Sequence, residues 1–298
     1  MDTHRIQFGQ IAAIARKEFR DRLRSRWVLA VAVVLAVFAL VIAYFGAAQQ
    51  GAVGFKGIEL TIASLTSLVI YLVPLIALIL GYDAIIGERE RGSLDLLLSL
   101  PLTKLELLLG KYLGLAAALT FSTVAGFGLV GVVLSYGIGL TGLLDYAGFI
   151  LSTLLMGLAF LSFALLLSVL AASKVVASGA AIALWFFYVL VYDLILLGML
   201  VVTEGQYVGS LFPILLLLNP ADIFRILNIF SLEEVKSLYG LATVFPATLA
   251  SPWLLGGAML FWILAQIGTP ELAVGHVLIT LILFLILPAM GLGLSATS

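Results

Sequence analysis

At 298 residues, 63% apolar and 10% charged, the chain lies far from the composition of a soluble globular protein, where about a quarter of residues are charged. A net charge of −1 gives no overall attraction to nucleic acid, and the absence of cysteine excludes disulfides, thiolate metal sites and a cysteine nucleophile. Two histidines, His4 and His276, and five methionines leave a relay for soft metal ions poorly supplied with ligands.

Residues 1–26 hold seven of the fifteen basic residues: Arg5, Arg16, Lys17, Arg20, Arg22, Arg24 and Arg26. Ile6, Ile11, Ile14, Phe19 and Leu23 form a broken apolar stripe among them, so this stretch reads as an interfacial amphipathic helix leading into the membrane. The apolar run that follows is longer than a signal-peptide core, and no small-residue cleavage motif stands out around Ala47 and Ala48, which favours an uncleaved anchor. Five spans are predicted over about 27–202. They take 27–47, 61–86, 106–134, 148–171 and 175–202, each at or above the ~20 residues needed to cross the hydrocarbon core. With the N-terminus in the cytoplasm, that side collects twelve basic residues and the other keeps three, Lys56, Arg225 and Lys236. This asymmetry sets the orientation.

One charged island interrupts the apolar chain. No charge occurs over 60–82 or over 112–144, whereas Glu88, Arg89, Glu90 and Arg91 stand together ahead of Gly92 and a leucine-rich run. Asp95 suits a helix N-terminus, where a carboxylate meets the positive end of the peptide dipole. Pro101 ends the run, because the residue before a proline is pushed out of the helical region. Thr103-Lys104-Leu105-Glu106 reads as a capping box for the next helix. The island is therefore expected to be a short amphipathic helix over 88–100, between spans 2 and 3, facing the cytoplasm. Asp83, just before it, is expected to pair with Arg89 or Arg91.

Residues 203–251 make the largest segment outside the membrane. Asn219-Pro220-Ala221-Asp222 carries a cap residue, a proline at the first helical position and an acid at the third, a strong helix start. Ser231-Leu232-Glu233-Glu234 is a second capping box with Gly240 as its stop, so two short helices on the outer surface are expected. Beyond them, Pro252 opens a helix of about 252–267, roughly 24 Å long at 1.5 Å per residue, and Pro270 a second of about 270–294. Either the first is a re-entrant half-helix, giving six spans, or both cross, giving seven. The fold class is accordingly all-α: a polytopic bundle of six or seven spans, with 252–298 as a C-terminal membrane region.

No phosphate-binding loop, zinc-protease helix or nucleophile elbow occurs. Asp193, inside span 5 beside Tyr192 and near Tyr188, is an intramembrane carboxylate. It reads either as a substrate or proton site or as a carboxylate satisfied by tyrosine. Gly110 and Gly114, like Ala177 and Ala181, have the small-x-x-x-small spacing that permits close helix approach, although 29 glycines make such pairs common by chance. His276 has no second ligand nearby in sequence.

The island Gly87-Glu88-Arg89-Glu90-Arg91-Gly92-Ser93-Leu94, continued by Leu97-Leu98-Ser99-Leu100-Pro101-Leu102-Thr103-Lys104 and Leu109-Gly110-Lys111, resembles the signature of ABC-2 type transporter permeases. Ala15-Arg16-Lys17-Glu18-Phe19-Arg20-Asp21 is similar to that family's lead-in helix. Asn219-Pro220-Ala221-Asp222-Ile223-Phe224-Arg225 looks like the outer segment of one branch, which includes the NosY-type permease of nitrous oxide reductase maturation. The resemblance covers about residues 10–265. It implies a homodimer of inner-membrane permeases with two cytoplasmic ATPase subunits, which bind the ATP and Mg, and no catalytic residue, cofactor or metal in this chain. It further implies that Glu88, Arg89, Glu90, Arg91, Gly92, Leu94, Leu97, Leu98 and Pro101 form the coupling helix against the ATPase. Arg16, Lys17, Glu18 and Arg20 would lie alongside. A periplasmic accessory protein would meet the 203–251 side, at Asn219, Pro220, Asp222 and Arg225, in the assembly of copper–sulfur centres. The partners expected are thus the ATPase, a second copy, that accessory protein and membrane lipid, with no nucleic acid.

Two alternatives stand beside this one: an ABC-2 exporter of another substrate, and a stand-alone secondary transporter. The latter needs ionisable residues lining its spans, and Asp193 is nearly alone in offering one. The poor supply of copper ligands favours a sulfur species as cargo, or mechanical transmission with none.

Overall fold

The computed structural model describes residues 7–45, 58–135, 140–204, 212–230 and 251–267, and all its regular structure is helical. Among the described residues five apolar helices are long enough to cross a membrane, which makes this a polytopic all-α membrane protein. In chain order the elements are α1 (Phe8–Arg24), α2 (Trp27–Phe45), α3 (Ile58–Gly81), α4 (Ile86–Glu90), α5 (Ser93–Leu98), α6 (Lys104–Ser135), α7 (Leu140–Leu170), α8 (Lys174–Phe186), a π-helical turn (Phe187–Val191), α9 (Tyr192–Val202), α10 (Phe212–Leu217), α11 (Pro220–Phe230) and α12 (Pro252–Ile267). Helices α8 and α9 are one span, joined through the π turn. Helix α7 begins at Leu140, eight residues before the 148 expected.

Glycine decides how the helices stack. A Cβ on Gly110 of α6 would meet Ile14 Cβ at 2.7 Å, and one on Gly114 would meet Glu18 Cβ at 2.6 Å, so α1 lies directly on α6 backbone there. The 110–114 pair, which spacing alone could not single out, is thus the seat of the lead-in helix. About three turns further along, a Cβ on Gly126 would strike Leu35 Cβ of α2 at 2.8 Å. The chain turns from α1 into α2 through Arg26, held in the left-handed region with φ 58°. On the other side α3 and α7 close at Gly81, where a Cβ would meet Ala164 Cβ at 2.8 Å. Close backbone approach of this kind is the main source of attraction between helices in lipid, which rewards no hydrophobic burial.

Helix α12 buries Leu255, Met259, Trp262, Ile263 and Gln266 against α7 and α11, and Trp262 Nε1 donates to the Leu217 carbonyl at 3.0 Å. The helix expected over 270–294, the second outer helix from Ser231, and both histidines lie outside the described residues.

Candidate coupling site

The C-terminus of α7 and the N-termini of α4 and α8 need hydrogen-bond partners, since each helix terminus leaves orphan N–H or C=O groups. At the island these needs are met between α4 and its neighbours α7 and α8. The Ile85 and Ile86 N–H groups at its start donate to Ser168 Oγ of α7, at 2.9 and 3.1 Å. Arg89 then donates from Nη1 to the Ala171 carbonyl and from Nη2 to the Val169 carbonyl, both at 3.1 Å, closing the C-terminus of α7 with a cation where the dipole favours one. Glu90 Oε1 accepts from the Lys174 N–H at 2.6 Å and so places an anion on the first turn of α8, where Ser173 also caps Val176.

Two ion-pair clusters tie this turn to the lead-in helix. Lys111 of α6, only 3% exposed, holds Glu88 Oε1 at 2.7 Å and Glu18 Oε2 of α1 at 3.1 Å. Asp83 takes Lys174 Nζ at 3.1 Å and Arg22 Nη2 of α1 at 3.5 Å. The expectation that Asp83 pairs with Arg89 or Arg91 is overturned, because Arg89 is drawn to the unsatisfied carbonyls of α7. Glu106 completes the junction. One carboxylate oxygen accepts from the Thr103 N–H at 2.7 Å, the capping box expected there, and the other from the Gln7 N–H at 2.6 Å, so one side chain steadies the starts of both α6 and α1.

The continuous helix expected over 88–100 is instead two short helices. Gly92 breaks it in the left-handed conformation, φ 71°, which a residue without Cβ adopts at little cost. This break turns α5 so that Leu94, Leu97 and Leu98 are half-buried while Leu96 and Leu100 stand out at 72% and 52% exposure. The outward apolar face thus belongs to leucines that the sequence reading left out. Arg91, Gly92, Asp95 and Pro101 are exposed beside them, and on α1 Arg16, Lys17 and Arg20 are exposed while Glu18 points inward to Lys111. Glu88 and Arg89 are committed within the chain. Lys111, Asp83, Lys174, Glu106 and Ser168 were missed as site residues. Lys111 had a signal, a charge one turn into an apolar span, whereas a serine such as Ser168 in a leucine run has none.

The second group of expected residues lies at the opposite end of the bundle. Asn219 Oδ1 accepts from the Ala221 N–H at 3.0 Å, capping α11 as its sequence demands. But Asn219, Pro220 and Asp222 are buried, and α11 packs against α3, α7 and α12 instead of lying on a surface. These polar groups are spent inside the chain: Asn219 Nδ2 donates to the Tyr188 carbonyl and to Asp222 Oδ2, each at 2.9 Å. Asp193 takes Arg225 Nη2 at 2.8 Å, while the Tyr192 hydroxyl donates to the Leu215 carbonyl. Arg225 Nη1 bonds Asp222 Oδ1 at 2.6 Å. Burial pushes the Asp222 carboxyl up to about 8 against the opposing pull of Arg225, while the two carboxylates raise the guanidinium above its ordinary value.

A family model described as "ABC-2 family transporter protein" matches residues 12–295. The chain belongs to the ABC-2 transporter family. This permease subunit is 44% identical over 263 residues to a "Probable ABC transporter permease protein NosY" of Stutzerimonas stutzeri, covering 86% of this chain and 94% of that one. It is 45% identical over 255 residues to a protein of the same description from Pseudomonas aeruginosa, covering 84% and 92%. The family match runs past residue 265, where the resemblance read from motifs stopped, and so takes in the permease's C-terminal region as well.

Proposed function

We propose that the permease is the membrane half of an ATP-driven machine of the bacterial inner membrane, moved through α4 and α5 by a separate cytoplasmic ATPase that binds the ATP and Mg. The observation that carries this reading is the junction at α4. A push on one five-residue helix acts at once on the C-terminus of α7, the N-terminus of α8 and, through Lys111, on α1 and α6. Short ionic and capping bonds with little side-chain freedom suit transmission of force better than a flexible loop would. The exposed pair Leu96 and Leu100, rimmed by Arg91 and Asp95, has the mixed apolar and charged character of a protein-docking face.

The basic excess on the island side supports a cytoplasmic N-terminus. Family membership supports a homodimer of permeases with two ATPases. Similarity to NosY permeases supports a role in maturing the copper–sulfur centres of nitrous oxide reductase, with an accessory protein on the periplasmic side and force or a sulfur species as what is passed across. The burial of Asn219, Pro220 and Asp222 moves the accessory-protein contact away from these residues; they hold α11 in place and leave the binding to other parts of the 203–251 segment.

The test is copurification in detergent with the ATPase. Leu96→Asp with Leu100→Asp is expected to lose the ATPase while the permease still inserts and elutes as the native protein does. Undiminished copurification and coupled hydrolysis in that variant would overturn the assignment of the docking face.

A further inference from the structure

The cluster remote from the island contains two carboxylates and one cation, and its geometry poses a charge problem. Arg225 reaches Asp193 at 2.8 Å and Asp222 at 2.6 Å, one through each terminal nitrogen. Asp222 is 1% exposed, and the two carboxyl groups lie within hydrogen-bonding reach of one another. Of their four oxygens, Asp193 Oδ2 and Asp222 Oδ1 take Arg225, and Asp222 Oδ2 takes Asn219. Asp193 Oδ1 is buried and receives no donor from the described residues. Two carboxylates facing each other across one cation favour the uptake of a proton by the pair, and no second cation lies at hand among the described residues. The groups facing them are Tyr188 and Tyr192 from the span, Tyr71 from α3, and Asn219 before α11, all uncharged. From α7 and α12 the polar side chains turned to α10 and α11 are Ser152 and Trp262, bonded to Asn228 and the Leu217 carbonyl.

We propose that Asp193 and Asp222 form a proton-binding site, holding one proton between their facing oxygens with Arg225 as the fixed counter-charge. The proton supplies the donor that Asp193 Oδ1 lacks and brings the cluster to neutrality. The high value at Asp222, caused first by burial, agrees with this. Loss of the proton places two adjacent negative charges between α11 and a span whose π turn already interrupts the regular hydrogen-bond ladder two to six residues before Asp193. Proton release therefore loosens the seat of α11 on span 5, while the island junction is untouched.

Asp193 lies nineteen residues after Lys174, about 28 Å along the span, which puts the site near the membrane boundary opposite the island. A proton there can exchange with the solution on that side. Because the inference uses no ATPase and no cargo, it stands or falls independently of the coupling reading.

Infrared difference spectroscopy of the purified full chain in lipid nanodiscs tests it. A protonated-carboxyl carbonyl band is expected at neutral pH, shifting in heavy water and disappearing as the pH is raised through about 8. Asp193→Asn and Asp222→Asn should each remove that band, since one carboxylate against one arginine needs no proton. Asp222→Glu, which keeps the acid, should move its frequency instead. No such band in the unaltered protein at neutral pH overturns the proposal whether or not the variants fold, and so does a band that survives unmoved in all three.

Discussion

Replacing Lys111 with methionine keeps the length and packing of the side chain and removes only its charge. Lys111 is 4% exposed at its side chain, and its partners Glu88 and Glu18 are 12% and 14% exposed, so the pairs sit out of bulk water. Breaking a buried ion pair by deleting one member costs ~3–5 kcal/mol, because the remaining charge stays desolvated and unpaired. The low end applies here, since Glu18 keeps Arg22 Nε at 3.3 Å and both acids have some water access. Glu88 fares worse: its Oε2 has no partner among the described residues, and Lys111 is what holds Oε1. A loss of ~3 kcal/mol corresponds to about a 150-fold rise in the opening of the α4 turn. Hydrogen exchange at the amides of 86–98, followed by mass spectrometry in nanodiscs, reads that opening directly. Adding Glu88→Gln to Lys111→Met removes the stranded charge and should recover a large part of the loss, a non-additivity that marks direct coupling. If Lys111→Met leaves exchange over 86–98 within about twofold of the unaltered protein, the junction is not held by this pair and the force-transmission argument fails.

The remaining expectations concern packing, capping and acidity. Gly114→Val should lift α1 from α6, because a Cβ there meets Glu18 Cβ at 2.6 Å and the Ala15 carbonyl at 2.7 Å; overpacking of this kind costs ~1–3 kcal/mol and should lower the melting temperature in detergent. Gly128→Val, at an open position on the same helix, is the control and should leave it unchanged. Arg89→Gln removes two charge-assisted bonds from the α7 C-terminus, each worth ~1.5–3 kcal/mol, and should raise exchange at 167–171 more than anywhere else. For Asp222 the folded-state value of about 8 stands above the ordinary 3.8, so between those values the folded protein keeps a proton that the unfolded chain has released. Stability from this group is therefore fully present below about 4, falls as pH rises towards 8, and is flat above it. Unfolding measured against pH should show that fall, and Asp222→Asn should abolish it.

Hydropathy and local signals were enough to read the five spans between 27 and 202 (apart from the early start of α7), the charged island, the capping box at Thr103–Glu106 and the Asn219 cap of α11. Each depends on residues within a few positions of one another, and insertion in a membrane leaves a helix little alternative once twenty apolar residues run together. The break at Gly92 was within reach, since glycine after a charged run is a known point of interruption, yet propensity alone does not say which glycine takes a positive φ. What sequence could not supply was partner choice. Lys111 meets Glu18 across 93 positions and Glu88 across 23; Asp193 meets Arg225 across 32. Those pairings exist because α1 settles on Gly110 and Gly114, and because α11 packs inward against α3, α7 and α12. A linear reading sees the same charges and sorts them by side of the membrane; only the packed helices bring particular ones within hydrogen-bonding distance, where desolvation makes each missing partner costly.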